Sequence, residues 1–338
     1  MQHVSRNFHV FSFSVLAFIG LVMTSLQETV GNEILNRTNP KEVSMRATVR
    51  TSIQGNSPSL LVLNLPLPSS VPYQDVKSTQ TSCSRNGNYQ ILAYPETSQQ
   101  YASATFQNPS NNVEISATYN VVLYDISVDF SKISTIYPYD QNSSIYKTYT
   151  GSSGDIVDPT NPEIRRISES LWRQSNSILD YARRCYSYVA ENYKYLNPNT
   201  GIHPLNKILR DGGGDCGNLT SIYVSLLRCR NIPARHLVGV RPNGTYHVWA
   251  DFYLERYGWI PVDVTYKMQN KNGNFFGVVD ASDVPVILSL GVNLTVNAID
   301  QNRIIRTKTP LMQDFTHWNW YTSPIGKLDH NYQVENLW

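Results

Sequence analysis

Eleven consecutive residues, GDCGNLTSIYV with Cys216 in third place, constrain this chain more tightly than any other stretch. Leu219, Ile222, Tyr223, Leu226 and Leu227 recur at the spacing of an amphipathic helix. Gly212, Gly213 and Gly214 ahead of them give a flexible, close-approaching entry. Cys216 therefore falls in or just before a first helical turn. The free N–H groups and the dipole of a helix start favour an anion, which serves a thiolate and also an oxyanion formed beside it. Taken alone, a cysteine opening a helix is more often a buried core residue. The residues downstream change that balance.

TYHVWADFYL and GWIPVDV both read as strands rich in aromatic and branched residues, with RYG as turn material between them. His247 and Asp263 are 16 residues apart, an even number, so alternation keeps them on one face. A hairpin centred on Glu255, with a loop of about three residues, sets them directly opposite each other, roughly 5 Å apart. Trp249 and Asp251 project to the same face. A thiol, an imidazole and a carboxylate in this order are the parts of a cysteine nucleophile with its base and orienting acid. Trp249 and Trp259 are expected to wall a cleft rather than take part in chemistry. The cysteines form no CxxC pair, and Cys216, His247 and Asp263 offer only three mixed ligands, so neither a metal nor a cofactor is expected.

The strings GDCGNLTSIYVSLLRCRNIPARHLVGV and HVWADFYLERYGWIPVDVTY together resemble the transglutaminase-like superfamily of papain-related cysteine enzymes, and NFFGVVDASDVPVILSLG extends the likeness to about residue 291. The resemblance implies Cys216 as nucleophile, His247 as general base and acid, and Asp263 as the residue orienting the histidine. The family commonly has Glu where this chain has Asp251, and a small residue where it has Cys229. Members cross-link glutamine side chains to amines, deamidate them, or cut peptide and amide bonds through a thioester. The layout is similar to microbial members, which favours a hydrolytic peptidase, amidase or deamidase over a cross-linker. The alternative is an inactive binding or scaffold protein that keeps the fold. An aromatic residue supports the oxyanion in some members, and Tyr193 and Tyr195 are the upstream candidates here. The implied partner is a peptide or protein substrate, with a cell-surface or cell-wall polymer as a further option; the oligomeric state is left open.

The resemblance and the residue patterns together give an α+β fold. The resemblance implies a papain/transglutaminase-like catalytic domain, with its cysteine-bearing helix packed on an antiparallel sheet, expected over residues 163–300 and preceded by a β-sandwich expected over 34–150. In the leading half Met45, Ala47 and Val49 alternate, Ser59 to Leu67 is an apolar run, and Val113 to Leu123 alternates before the phase shifts to Ile126, Val128 and Phe130. That shift predicts a bulge near Tyr124 and Asp125. GSSGDIVDPTNP, residues 151–162, reads as a linker. Helices are expected from Glu163 to Arg173 and from Ser177 to Tyr193. Residues 301–338 read as a C-terminal extension packed on the body, with HWNWY at 317–321 docking there.

Residues 1–27 look like a secretory signal: Arg6 and two histidines lead into an apolar stretch from Val10 to Met23 of 14 residues, short of the roughly 20 that span a bilayer. A secreted or periplasmic protein is expected, with anchoring by an uncleaved signal as the alternative. Export permits disulfides, but Cys185 and Cys229 read as core thiols, and a bridge involving Cys83 stays open. Of the five Asn-x-Ser/Thr sequons, that at Asn218 adjoins the nucleophile and suits no glycan. A charged fraction of 16% is low against about 25% for ordinary domains, and a net charge of +2 gives no reason to expect a nucleic-acid partner.

Overall fold

The computed structural model describes residues 33–109, 112–196, 201–280, 285–309, 318–321 and 326–337. The segment read as a signal lies outside the described residues. Six strands come first: β1 (Leu35–Gln54), β2 (Leu60–Pro66), β3 (Gln74–Cys83), β4 (Gly87–Ala93), β5 (Gln100–Gln107) and β6 (Val113–Val128). Helices α1 (Ser144–Tyr149), α2 (Pro162–Arg173) and α3 (Ile178–Asn192) follow, then the short β7 (Lys194–Tyr195), α4 (Leu205–Asp211), the short β8 (Gly213–Gly214) and α5 (Cys216–Arg228). The chain continues through β9 (Ala234–Val240), β10 (Tyr246–Leu254), β11 (Gly258–Val262), α6 (Val264–Gln269), β12 (Val278–Val279) and β13 (Val286–Leu290). It ends in β14 (Leu294–Asp300), β15 (Arg303–Thr309), β16 (Trp318–Tyr321) and β17 (Lys327–Asn336).

The alternation along β6 has the consequence period-two patterning demands. Val113, Ile115, Ala117, Tyr119 and Val121 are buried, and they meet Met45, Ala47 and Val49 of β1, Leu61, Leu63 and Leu65 of β2, and Ala102, Ala104 and Phe106 of β5 in one core. Two sheets enclose that core, β12-β6-β1-β17 with β3 on β6, and β16-β2-β5-β4. The phase shift in β6 has a bulge opposite it, but the extra residue belongs to β1, where the register jumps between Thr38 and Lys41 and Asn39 takes a φ of 49°.

Both sheets draw on the two ends of the chain. The β17 strand pairs antiparallel with β1, and the β16 backbone with β2, so the C-terminal segment completes the leading sheets. The β12 strand pairs with β6 from the other side. His317, the first residue of the aromatic string, lies outside the described residues. The segment read as a linker is also packed: Ile156 and Val157 are buried among the residues of α2, α3 and α5.

Helix α5 departs from amphipathic expectation because every one of its residues is buried. It is a central helix, in contact with α2, α3, α4 and α6 and with β9 and β10 of the antiparallel sheet β11-β10-β9-β13. Along β10, Val248, Ala250, Phe252 and Leu254 face this helical layer, whereas Trp249 joins Tyr73, Ile126, Leu237 and Ile287 in a cluster bridging to the leading sheets. Side-chain amides dress the edge of β13: the Ile287 N–H donates to Gln74 and the Leu290 N–H to Gln99, and each amide returns a hydrogen bond to a carbonyl of the same strand. All four cysteines are free thiols, with Cys185 buried in the core and Cys83 and Cys229 partly exposed. Among the described residues no helix is long and apolar enough to cross a membrane.

Candidate active site

Cys216 is the first residue of α5, and Asp215 before it caps the helix by accepting from the Asn218 N–H at 3.1 Å. The three glycines ahead of it make a tight entry rather than a flexible one. Gly212 closes α4 in the left-handed region at φ 70°, and a Cβ on Gly213 would sit 2.2 Å from the Lys194 carbonyl oxygen. That approach lets β7 and β8 pair in parallel, which brings Tyr195 against Cys216. Burial first, then the proximity of Cys216, Asp215 and Asp263, raise the Tyr195 phenol above its ordinary range. Tyr193 instead packs edge-on against Tyr188 of α3. Asn218 is fully buried, with its side chain accepting from the His203 N–H and donating to the Gly201 carbonyl. A glycan has no room there.

His247 and Asp263 meet, though not by the route the hairpin count predicts. Pairs run Leu254↔Gly258 to Ala250↔Val262, so the turn is centred on Arg256, which takes a φ of 69°, and not on Glu255. The register differs by two residues, which preserves the face but leaves His247 without a partner in β11. Asp263 lies just past the end of β11 as the N-cap of α6. Its Oδ1 accepts from the Thr265 and Tyr266 N–H groups, each at 3.0 Å, and its Oδ2 lies 2.5 Å from His247 Nε2. One carboxylate therefore holds a helix start and an imidazole together.

The imidazole is also hydrogen-bonded to the Cys216 side chain, and with Nε2 occupied that bond falls to Nδ1. Burial opposes an imidazolium here, but the charge and hydrogen bond of Asp263, with the Cys216 contact, outweigh it and push His247 up to about 10. Burial would likewise raise Asp263, yet His247, the Tyr266 N–H and the Thr265 hydroxyl hold it below its usual value. The ring is sandwiched between Trp249 and Tyr266, with centroids 5.7 and 4.6 Å away and near-parallel planes. Tyr266 escaped sequence reasoning; the signal was there as Asp-Val-Thr-Tyr, a capping Asp followed three residues later by a ring on the first turn.

A cleft of about 270 Å³ borders the imidazole, lined by His247, Trp249, Asp263, Tyr266, Phe275 and Asp280 among others, with Cys216 not among its lining residues. Trp259 stands apart from it, stacked under the Arg235 guanidinium at 3.7 Å and edge-on to Tyr149 and Tyr253. Asp251 is also elsewhere: fully buried, it pairs with Arg235 at 2.9 Å and accepts from the Tyr73 hydroxyl at 2.5 Å. Of the three supporting residues expected from sequence, only Trp249 borders the cleft. Among the described residues no cluster of three or more His, Cys, Asp or Glu side chains is placed to hold a metal ion.

The fold and this grouping define a thiol, imidazole and carboxylate at the junction of a central helix and an antiparallel sheet. Residues 165–264, a span containing Cys216, His247 and Asp263, match the family model described as transglutaminase-like superfamily, so this part of the chain is a transglutaminase-like domain. In sequence the chain is 25% identical over 129 residues to an uncharacterized protein of Haemophilus influenzae, covering 30% of this chain and 35% of that one. It is also 25% identical over 125 residues to a protein-glutamine gamma-glutamyltransferase of Pseudomonas aeruginosa, covering 32% of this chain and 19% of that protein. The matches thus span about a third and about a fifth of these relatives. In structure the chain is similar to a Cytophaga hutchinsonii protein described as a candidate cysteine protease, with a TM-score of 0.61, 10% identity and coverage of 90% of this chain and 93% of the other. That likeness is one of fold.

Proposed function

We propose that this protein is an exported cysteine enzyme that attacks amide bonds of peptides or proteins through the Cys216 thiolate. The observation carrying the proposal is the buried imidazole that touches the Cys216 thiol on one side and the Asp263 carboxylate, at 2.5 Å, on the other. With His247 pushed up to about 10, an imidazolium faces the Cys216 side chain at neutral pH, and the thiolate is the form that attacks. The thiolate adds to the amide carbonyl carbon, and the oxyanion forms beside the helix start and the Tyr195 phenol. His247 then gives its proton to the departing amine, leaving a thioester. Deprotonated by that transfer, the imidazole accepts a proton from water as it attacks the thioester, which restores the thiol and releases a carboxylic acid. Asp263 keeps the ring oriented throughout and stabilises its charged form.

Hydrolysis is the preferred outcome and transfer to a primary amine the competing one, since both start from the same thioester. Export rests on the apolar stretch from Val10 to Met23 behind Arg6. The test has two stages. Alkylation of Cys216, followed by mass spectrometry across pH, is expected to be rapid below pH 7 and slow once His247 is replaced. A peptide-amide library, assayed with and without a primary amine, then separates hydrolysis from transfer. Slow labelling with a midpoint at the ordinary thiol value of about 8.5, together with no turnover, would sink the proposal in favour of an inactive scaffold.

A further inference from the structure

Helix α5 carries Cys216 at its first residue and Arg228 at its last, about 18 Å away along the axis. Arg228 is 2% exposed, yet its hydrogen bonds go only to neutral acceptors: the Ala234 carbonyl at 2.8 Å, the Gly151 carbonyl at 2.7 Å and the Ser153 hydroxyl at 2.9 Å. Among the described residues no carboxylate pairs with it. A buried charge without a counter-charge is costly, and folded chains usually pair it or ligate it. Burial accordingly lowers Arg228 to about 10, with Tyr149 acting in the opposite direction.

Arg228 borders a cavity of about 230 Å³ that is separate from the cleft beside His247. Lys147 and Lys308 line the same cavity, with hydroxyls from Thr148, Ser152 and Ser153. Its lone carboxylate, Glu96, is already engaged, accepting from the Thr295 hydroxyl at 2.5 Å and the Thr295 N–H at 3.1 Å. Three cationic side chains against one carboxylate leave an excess of two positive charges around a space lined by hydroxyl donors.

We propose that this cavity, between the end of α5 and the β14–β15 hairpin, binds a dianionic oxyanion of the phosphate or sulfate class. Arg228 Nε and Nη1 already donate to Ala234, Gly151 and Ser153, so the guanidinium contributes its charge and its Nη2, the lysines supply point charge, and the hydroxyls complete the donor shell. Occupation compensates the buried Arg228 charge, so the ligand stabilises the folded chain by mass action.

The test is a titration of the full chain with sodium phosphate and, in parallel, glycerol phosphate and sulfate, against chloride at matched ionic strength. Melting temperature and calorimetric binding are read together. A saturable rise with the dianions that chloride does not reproduce is expected, and phosphate without glycerol phosphate would restrict the site to the free ion. The double variant Lys147→Gln/Lys308→Gln, altered only at exposed positions, is expected to fold and to weaken binding about tenfold or more. Arg228→Met is expected to abolish the phosphate response. A response equal to that of chloride, or undiminished affinity in the double lysine variant, would overturn the proposal.

Discussion

Two buried pairs each join partners 16 residues apart: Arg235 with Asp251, both on the β11-β10-β9-β13 sheet, and His247 on that sheet with Asp263 just beyond it. They close differently. Arg235 and Asp251 are direct register partners on β9 and β10, so the ladder itself brings them together. His247 has no partner in β11, and its contact with Asp263 depends on the start of α6. The first pair is sealed by Tyr73 and by Trp259 stacked on the guanidinium, whereas the second borders a cleft and touches a thiol. A guanidinium stays charged at any working pH, so its pair can only hold structure; an imidazole can give up its proton, so its pair can move one. The comparison teaches that spacing alone does not separate a staple from a reactive site. The partner's chemistry and its access to solvent do.

The sharpest way to break the comparison is to replace members of the His247 grouping and of the Arg235 pair in separate series. Cys216→Ala and Asp263→Asn are each expected to lower amide-bond turnover by about a thousandfold or more while leaving the circular dichroism spectrum unchanged. Replacement of Arg235 and Asp251 together by Met and Leu should keep turnover within about tenfold, because neither side chain borders the cleft. Comparable losses in both series would mean that the Arg235 pair is part of the chemistry.

Stability is expected to respond the opposite way. Asp251→Leu alone strands the buried Arg235 guanidinium and also removes the acceptor of the Tyr73 hydroxyl, at a cost of about 3–5 kcal/mol in urea unfolding. The double replacement should recover most of that loss. Failure to recover it would assign the loss to the stranded Tyr73 hydroxyl and the missing aromatic stack on Arg235 rather than to the ion pair.

The difference between the two pairs also marks how far the sequence could be read. Alternation in β6 and the run of β2 exposed the sandwich core because burial on one face leaves a period-two trace. Cys216, His247 and Asp263 could be singled out as candidates because their residue types limit their chemistry. The hairpin register could not be read, since a two-residue shift preserves the face of every side chain; the left-handed φ of Arg256 decides it. Nor could the roles of Asp251 and Trp259, which depend on Arg235 and Tyr73, far away in the chain. The C-terminal strands were illegible for the same reason, as β17 and β1 are paired across nearly the whole sequence.

Acidity distinguishes the pairs further. His247 is raised from 6.5 to about 10, so its stabilisation is complete below pH 6.5 and is lost progressively as pH rises towards 10. Asp263 is lowered from 3.8, so its contribution is present above pH 3.8 and disappears as pH falls through the depressed value. The wild type should therefore lose up to about 1.4 kcal/mol per pH unit on the alkaline side, a slope absent from a His247→Phe variant. Identical slopes in the two proteins would mean that the imidazole is not held in its charged form.

The smallest effect separates the two tasks of Asp263. Its Oδ1 caps α6 while its Oδ2 takes His247, and an Asn at this position can keep the first while giving up the charge behind the second. Asp263→Asn and Asp263→Ala are therefore expected to be equally poor catalysts, with the Ala variant less stable by about 1 kcal/mol because the cap is gone. The cap also positions Tyr266, whose ring lies 4.6 Å from the imidazole on the first turn of α6. If the two variants unfold at the same urea concentration, the helix start contributes nothing measurable. Trp249 would then be the element that keeps the imidazole aligned with the thiol.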